Sequence, residues 1–275
     1  MTGTNPTRRH LLVVSGSALT TALAGCASQG GDDGTTTDTE SAADASSDTQ
    51  SATQTATNDT DGAEESQSNA SETTMTPDPA SFEGESVTFT ADGDTEIQGT
   101  LYGDGDYGVV MVPQINFDRE SWREQAQLLA ATGHAALPID EGDNPPAAVL
   151  GAMAYLKEDV GVSNVVFIGG SSGGEAVVRA NAQAPDGAVA GVMGISAAGG
   201  SDVAGDLQGR KLFVVGKDDD QRFVDTAKQL HENAPDPKRL VILDSDAHAQ
   251  RIFDSPHADT LTDLLLSFVE ESSGA

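Results

Sequence analysis

The stretch from Val165 to Gly174, with the sequence VVFIGGSSGG, decides the fold of this chain. Its first four residues are apolar and rich in β-branching, which predicts a buried strand. Glycines and serines follow, and the pattern from Glu175 onward can continue as a helix. The stretch therefore predicts a strand, a sharp turn and a helix. Such a turn is expected to expose a serine oxygen at the carboxyl end of the strand, where open α/β sheets place their ligand sites.

The serine motif Gly-x-Ser-x-Gly occurs in two registers, one centred on Ser171 and the other on Ser172. We favour Ser171, because its motif begins directly at the end of the apolar strand and leaves Gly174 for close packing of the helix. A phosphate-binding loop would need a lysine after the last glycine, and Glu175 stands there instead. A generic glycine-rich turn is the alternative. The motif indicates a nucleophilic serine only if an acid and then a histidine follow further along the chain.

The 275-residue chain carries a formal net charge of −30, which argues against binding to nucleic acid. Such acidity is typical of acidic tails or of a solvated acidic surface, and a high-salt habitat is one hypothesis that explains it. The only cysteine is Cys26, so the chain forms no intramolecular disulfide.

Residues 1–25 predict an export signal. Arg8 and Arg9 precede a short apolar run that ends at Ala24-Gly25-Cys26, and this run is too short to span a bilayer comfortably. The pattern resembles a twin-arginine signal peptide with a lipobox. The resemblance implies export, cleavage before Cys26 and lipid on its sulfur, which would anchor the protein to the outer face of the cell membrane.

Residues 26–80 predict a disordered acidic tether. From Ala27 to Ala80 the sequence contains no Val, Ile, Leu, Phe, Tyr or Trp, and every charged residue is acidic. Such a segment cannot bury enough apolar surface to offset its chain entropy. We therefore expect an extended connection between the lipid anchor and a folded domain at residues 81–275.

The folded part alternates strands with helices. The expected strands are 87–90 and 97–101, paired as a hairpin around Asp92-Gly93, and then 109–112, 135–139, 165–168, 188–196, 211–215 and 240–243. The expected helices are 118–131, one from Pro146, one after the serine turn, 222–233 and 258–271. This order predicts an α/β fold with a mostly parallel central sheet and helices on both faces.

An acidic turn follows the predicted strand 211–215. Asp218, Asp219 and Asp220 come directly after Gly216-Lys217, so they are expected at the carboxyl edge of the sheet. A carboxylate there can hold an imidazole in one tautomer and stabilise its charged form. A solvated acidic turn or a cation site are the alternatives.

His248 follows the last predicted strand. A neutral histidine suits proton transfer near pH 7, and the chain order serine, aspartate, histidine is the one expected for this fold. His257 competes for the role but lies nearer the final helix, and His134 is expected at the opposite edge of the sheet. Asp244 and Asp246 would complete a metal site with His248, but no further histidine or cysteine cluster supports a metal, so none is predicted.

From Val87 to Glu271 the chain resembles a compact member of the α/β-hydrolase superfamily, near its dienelactone-hydrolase-like and small esterase branches. The hairpin, the serine turn, the acid after Gly216 and the late His248 occur in the order that the superfamily uses. The resemblance selects Asp219 as the acid, because the superfamily usually carries its acid three residues after such a glycine. It also implies that Ser171 is the nucleophile and His248 the general base.

The resemblance further implies an oxyanion hole made of two backbone N–H groups. One is expected from Ser172, directly after the nucleophile. The other is expected from Ile115 in the loop after Val112, with Gln114 as the second choice. Family members often have His-Gly in this loop, whereas this chain has Pro113-Gln114.

The predicted function is an exported, membrane-tethered serine hydrolase that cleaves a small-molecule carboxylic ester or related acyl compound without a cofactor. Only a short loop, 196–210, replaces the helical lid that the superfamily often inserts, so we expect an open site with no lid domain. The alternative is a surface lipoprotein that binds a ligand or partner on the same scaffold without turnover. The distance between the Ser171 oxygen and a His248 nitrogen discriminates between these two hypotheses.

Overall fold

A computed structural model of the protein describes residues 77–274. The predicted signal, the predicted lipidation site at Cys26 and nearly all of the predicted tether lie outside the described residues. Within residues 77–274, no helix combines the length and apolar character that crossing a membrane requires.

Six parallel strands form the central sheet, in the order β4-β3-β5-β6-β7-β8. They are β3 (Tyr107–Val112), β4 (Ala135–Pro138), β5 (Asn164–Gly170), β6 (Gly191–Ile195), β7 (Arg210–Gly216) and β8 (Lys238–Leu243). The middle strands are almost continuously apolar because both faces of a parallel sheet are covered. Since all six run the same way, the loops that follow them meet at one edge.

The predicted hairpin is confirmed as β1 (Glu85–Ala91) paired antiparallel with β2 (Thr95–Leu101). Asp92 and Gly93 both take positive φ in its turn, a conformation that glycine adopts freely and aspartate tolerates. Isolated antiparallel bridges from Gly99 in β2 to Ile139, and from Tyr102 just after β2 to Ala136, attach the hairpin beside β4. The strands therefore form a mostly parallel arrangement with one antiparallel extension.

Helices cover both faces of the sheet, which confirms the predicted fold class. The helices are α1 (Arg123–Ala131), α2 (Pro145–Tyr155), α3 (Ser172–Gln183), α4 (Gln221–Asn233) and α5 (Ala258–Ser273). One core cluster joins α2, α3 and α4 to one face through residues such as Val149, Val177 and Leu230. The other joins α1 and α5 to the opposite face through Leu129 and Leu265.

Two predicted elements are shorter than their sequence patterns indicated. The helix expected from Asp118 begins instead with a tighter helical turn at Arg119–Trp122, because the Asp118 carboxylate accepts the N–H of Glu120 at 3.1 Å. The strand expected from Ala188 begins only at Gly191, because the N–H of Ala188 donates to the carbonyl of Pro185 in a turn. Between β6 and β7 lies only a short helical turn, Ser201–Asp206, so the described domain has no lid insertion there.

The crossing from β5 into α3 leaves no space for a side chain at two glycine positions, Gly169 and Gly173. A Cβ atom on Gly169 would lie 2.2 Å from the carbonyl oxygen of Gly173. A Cβ atom on Gly173 would lie 2.4 Å from the carbonyl oxygens of Val112 and Pro113. Because these obstacles are backbone atoms, they cannot move aside cheaply, and only glycine lets the helix start so close to β3 and β5.

We expect Gly169→Ala to lower the free energy of unfolding by about 1–3 kcal/mol or more, because the new methyl group must displace backbone. Urea unfolding followed by circular dichroism measures the effect. Gly205→Ala is the matched control, since a Cβ there meets nothing within 4 Å. Equal stability of the two variants would contradict this account of the crossing.

Candidate active site

Ser171 occupies the turn between β5 and α3 in a strained conformation. Its φ of 50° and ψ of −113° lie outside the regions that ordinary residues favour. Hydrogen bonds hold this geometry, since the N–H of Ser171 donates to Ile195 at 2.9 Å and its carbonyl accepts from Ala198 at 2.9 Å. Strain of this kind costs about 1–3 kcal/mol and persists only where the surroundings enforce it. The turn thus places the hydroxyl at the carboxyl edge of the sheet, but Ser171 is only 6% exposed, so the exposure predicted from the motif is not found.

The structure brings together the three side chains that the sequence selected. The Nε2 atom of His248 lies 2.9 Å from the Oγ atom of Ser171. The Nδ1 atom of the same ring lies 2.8 Å from Oδ2 and 3.1 Å from Oδ1 of Asp219. With the proton on Nδ1 donated to the carboxylate, Nε2 is free to accept the serine proton.

The acidic turn after β7 assigns a different task to each aspartate. The side chain of Asp219 is only 4% exposed and also accepts the N–H of Asp220 at 2.7 Å, so its carboxylate is fixed against the imidazole. Asp220 uses its own side chain to cap α4, where it accepts from Arg222. Asp218 is exposed and makes no contact with the imidazole among the hydrogen bonds of the described residues. The geometry therefore favours Asp219 over both neighbours.

The loop that carries His248 is held from two sides. The aromatic ring of Phe223 packs on the imidazole with the ring centroids 4.1 Å apart. Ala249 has a φ of 49°, and its N–H donates to the buried hydroxyl of Ser196 at 3.2 Å. These contacts leave the imidazole little freedom to turn away from Ser171.

Two glutamines clamp the loop after β3 to the loop after β8. The backbone N–H of Gln114 donates to Oε1 of Gln250 at 2.8 Å, and the backbone N–H of Gln250 donates to Oε1 of Gln114 at 3.0 Å. The side-chain nitrogen of Gln250 also donates to the Ser121 hydroxyl at 2.9 Å. Both glutamines are buried. Since its N–H is already engaged, Gln114 is a poor second choice for the oxyanion hole.

The two backbone amides preferred for the oxyanion hole remain open. Within the part of the chain that the structure describes, the N–H groups of Ser172 and Ile115 donate to no protein acceptor. Ser172 is the first residue of α3, so its N–H is one of the free donors at the positive end of a helix. Ile115 itself is 64% exposed.

His257 and His134, the other two histidines weighed from the sequence, lie elsewhere. His257 lies with Nε2 2.8 Å from the backbone oxygen of Asp244, away from the serine. His134 precedes β4 at the opposite edge of the sheet, and burial lowers its pKa. Asp244 pairs with Lys217 at 3.2 Å, and residues 77–274 contain no group of three or more His, Cys, Asp or Glu side chains placed to hold a metal.

Sequence reasoning missed Gln250 and Glu141. The pairing of Gln250 with Gln114 spans 136 positions, and no local pattern signals it. Glu141 follows β4, and one of its carboxylate oxygens is buried without a hydrogen bond, as is the hydroxyl of Ser172. Burial raises the pKa of Glu141, and the nearby hydroxyl of Ser172 partly offsets the shift. A lone glutamate in an acidic loop gives no warning of such burial.

Comparison with known proteins finds resemblance in structure rather than in sequence. No protein-family model matches the chain, and no curated protein matches it. A dienelactone hydrolase of Anabaena variabilis is 21% identical with a TM-score of 0.61, and the match covers 69% of this chain and 98% of that chain. An esterase of Pyrococcus furiosus is 13% identical with a TM-score of 0.59, covering 70% of this chain and 92% of that chain.

A dienelactone-hydrolase-like promiscuous phosphotriesterase from metagenomic libraries is 17% identical with a TM-score of 0.58, covering 70% of this chain and 98% of that chain. Likenesses at such low identity establish the architecture. The described domain therefore has the α/β-hydrolase fold, and its chemistry must be argued from its own side chains.

We expect Gln250→Leu to lower the free energy of unfolding by about 1–3 kcal/mol, because the buried N–H of Gln114 would lose its acceptor. Leucine fills a similar volume, so the loss reports on hydrogen bonding rather than on a cavity. Denaturant unfolding measures the change. Gln229→Leu, on the exposed side of α4, should stay within about 0.5 kcal/mol of the wild type. A Gln250→Leu protein as stable as this control would disprove the clamp.

Proposed function

We propose that this protein is a serine hydrolase that cleaves carboxylic esters or related acyl compounds. The observation that carries the proposal is the 2.9 Å separation of the Ser171 oxygen and the His248 Nε2 atom, with Asp219 at the other ring nitrogen. A hydroxyl is a weak nucleophile unless a base within hydrogen-bond reach removes its proton. The similar structures include a dienelactone hydrolase and an esterase, which supports the same class of reaction.

The proposed reaction proceeds through an acyl-enzyme. The Ser171 oxygen attacks the carbonyl carbon while His248 takes the serine proton, and Asp219 stabilises the imidazolium that forms. The amides of Ser172 and Ile115 stabilise the negative oxygen of the tetrahedral intermediate. His248 then gives its proton to the leaving alcohol. A water molecule, deprotonated by the same imidazole, releases the acid and restores Ser171.

A scaffold that binds without turnover is the weaker hypothesis. Its support is the unusual loop at Pro113-Gln114 and the second serine beside Ser171. A binding protein has no need of an aspartate, an imidazole and a hydroxyl in one hydrogen-bonded line. The Gln114–Gln250 clamp also gives the unusual loop a structural purpose that leaves the Ile115 amide free.

We expect Ser171→Ala to lower kcat for p-nitrophenyl esters by at least about 1,000-fold, because the nucleophile is lost. A fluorophosphonate probe should label the wild type at Ser171, and Ser172→Ala should keep the labelled serine. Asp219→Asn should lower kcat by roughly 10,000-fold through loss of imidazole orientation, whereas the exposed neighbour in Asp218→Asn should not.

A folded protein that the probe labels at neither serine, or turnover that survives Ser171→Ala, would refute the mechanism. Short and long p-nitrophenyl esters, assayed at low and high salt, define the preferred acyl length. The salt series also tests our proposal that the net charge of −30 reflects adaptation to high salt. Activity that is insensitive to salt would count against that adaptation.

We further propose that the protein is exported by the twin-arginine route and anchored to the outer face of the membrane by lipid on Cys26. The support is the order of Arg8-Arg9, a short apolar run and Ala24-Gly25-Cys26, followed by the acidic stretch 27–80. Lipid chains of this kind hold an otherwise water-exposed domain at a membrane surface.

In the full chain, Cys26→Ser should release the protein from the membrane fraction, because no sulfur remains for lipid attachment. Replacement of both Arg8 and Arg9 by lysine should instead keep the precursor inside the cell. Fractionation and immunoblotting measure both outcomes. Cys26→Ser protein that stays with the membrane would contradict the anchor without touching the hydrolase proposal.

A further inference from the structure

A groove of about 280 Å³ opens between α5 and the first residues of β7 and β8. Because the strands of the central sheet are parallel, this groove lies at the amino edge of the sheet, away from the loops that carry the proposed reaction. Leu212, Leu264 and Phe268 line it with apolar groups, and Arg210 and Arg239 line it with guanidinium groups. The proposed hydrolysis uses none of these residues.

The groove exists because α5 does not reach the edge of the sheet. A Cβ atom on Gly191 of β6 would lie 2.9 Å from the ring of Phe268, so α5 rests directly on β6. A helix is about 10 Å wide and covers about two strands of a sheet whose strands are about 4.8 Å apart. The sheet continues beyond β6 with β7 and then β8, its edge strand. The start of these two strands is therefore left partly uncovered on the α5 face.

Strand register brings the arginines and the apolar floor to this one face. Leu212 lies opposite Arg239 in the β7–β8 pair, and Arg210 lies two residues before Leu212. Since side chains alternate along a strand, all three project to the same side. That side is the α5 face, because Leu212 packs in the same core cluster as Phe268. The strand spacings put the Cβ atoms of the two arginines about 8 Å apart, within reach of a single small anion.

The positive charge of the groove contrasts with the net charge of −30. Four of the 14 lysine and arginine residues of the chain line it, namely Arg210, Lys211, Lys238 and Arg239. Among the ion pairs of residues 77–274, only Arg210 of these four has an acidic partner, Glu271 at 3.4 Å. Most other arginines of the described domain are paired with carboxylates. Unpaired cations that cluster in so acidic a protein favour an anionic ligand.

The two lysines contribute at longer range than the arginines. Lys211 and Lys238 lie opposite each other in the β7–β8 pair, so side-chain alternation turns both to the face away from α5. The ammonium group of Lys238 donates there to the carbonyl of Ala234, at the end of α4, at 2.8 Å. The lysines add positive potential, and the arginines are the groups placed to contact a ligand in the groove.

We propose that this groove is a second binding site, which takes a small organic carboxylate with an apolar chain, such as a medium-length alkanoate. The guanidinium groups of Arg210 and Arg239 hold the carboxylate, and the chain lies on Leu212, Leu264 and Phe268. The volume lies near the lower end of the range of about 300–1,000 Å³ that is typical of ligand sites, so the ligand is small. This inference does not depend on the proposed ester hydrolysis.

Other anions fit the groove less well. Inorganic phosphate would pair with the arginines but leave the apolar floor exposed to water. The acidic stretch 27–80 of this chain has carboxylates but no Val, Ile, Leu, Phe, Tyr or Trp side chain to cover that floor. An anionic membrane surface would need protruding apolar groups, whereas Leu212 and Phe268 are buried at the base of a concave site.

The test measures binding of octanoate, acetate and 1-octanol by isothermal titration calorimetry at one fixed salt concentration. It uses the full chain with Cys26→Ser, which leaves no sulfur for lipid. Octanoate should bind with a dissociation constant of about 1 mM or lower, as is ordinary for a ligand of about ten non-hydrogen atoms. Acetate lacks the chain and 1-octanol lacks the charge, so each should bind at least about tenfold more weakly.

Arg239→Gln, on the exposed edge strand, should weaken octanoate binding about fivefold or more, because one charged donor is lost. The matched control is Lys228→Gln, which removes one positive charge from the exposed side of α4 and should leave the dissociation constant unchanged. Leu264→Asn makes the floor polar and should weaken octanoate binding while leaving acetate binding unchanged.

Octanoate binding that Arg239→Gln leaves intact would lie elsewhere, for example beside Ser171, and would overturn the site. Equal affinities for acetate and octanoate would overturn the role of the apolar floor. Binding to phosphatidylglycerol vesicles that requires Arg239, without binding of octanoate, would make the groove a membrane contact and equally overturn the proposal. Should Arg239→Gln not fold, an octanoate affinity unchanged by Leu264→Asn would decide against the site.

Discussion

The tight crossing from β5 into α3 is the constraint on which the rest of the structure depends. Backbone atoms of Gly173 and of the loop after β3 stand where Cβ atoms at Gly169 and Gly173 would go. The chain turns there with positive φ at Ser171, which is held by hydrogen bonds to Ile195 at the end of β6 and to Ala198 just after it. The strained serine is therefore a consequence of packing, and the position of its hydroxyl beside His248 follows from the same geometry.

Parallel topology explains how the remaining groups reach that serine. Every strand of the central sheet ends at the same edge, so the residues that follow β7 and β8 arrive beside those that follow β5. Topology alone sets positions only to within several ångströms. The closer fit comes from buried contacts such as the Gln114–Gln250 clamp and the Phe223 ring on His248, which fix the loops relative to one another.

Much of the fold was predictable because apolar periodicity reports directly on burial. Continuous apolar runs predicted the parallel strands, and Asp92-Gly93 predicted the turn of the hairpin. Element ends were less predictable, as at Asp118 and Ala188, because a cap or a turn hydrogen bond can outweigh an apolar pattern. Within the site, Ser171 was identified from the turn it occupies.

The sequence by itself determined the strand–turn–helix around Ser171, the alternation of strands and helices, and the chain order of serine, aspartate and histidine. The resemblance predicted Asp219 among three adjacent aspartates, but only the tertiary structure shows its carboxylate against His248 while that of Asp220 caps a helix. It alone revealed the hydrogen bonds of Gln250 and the buried carboxylate oxygen of Glu141, since burial and pairing arise between segments far apart in the chain. Local patterns encode local conformation, whereas contacts between distant loops exist only once the sheet has assembled.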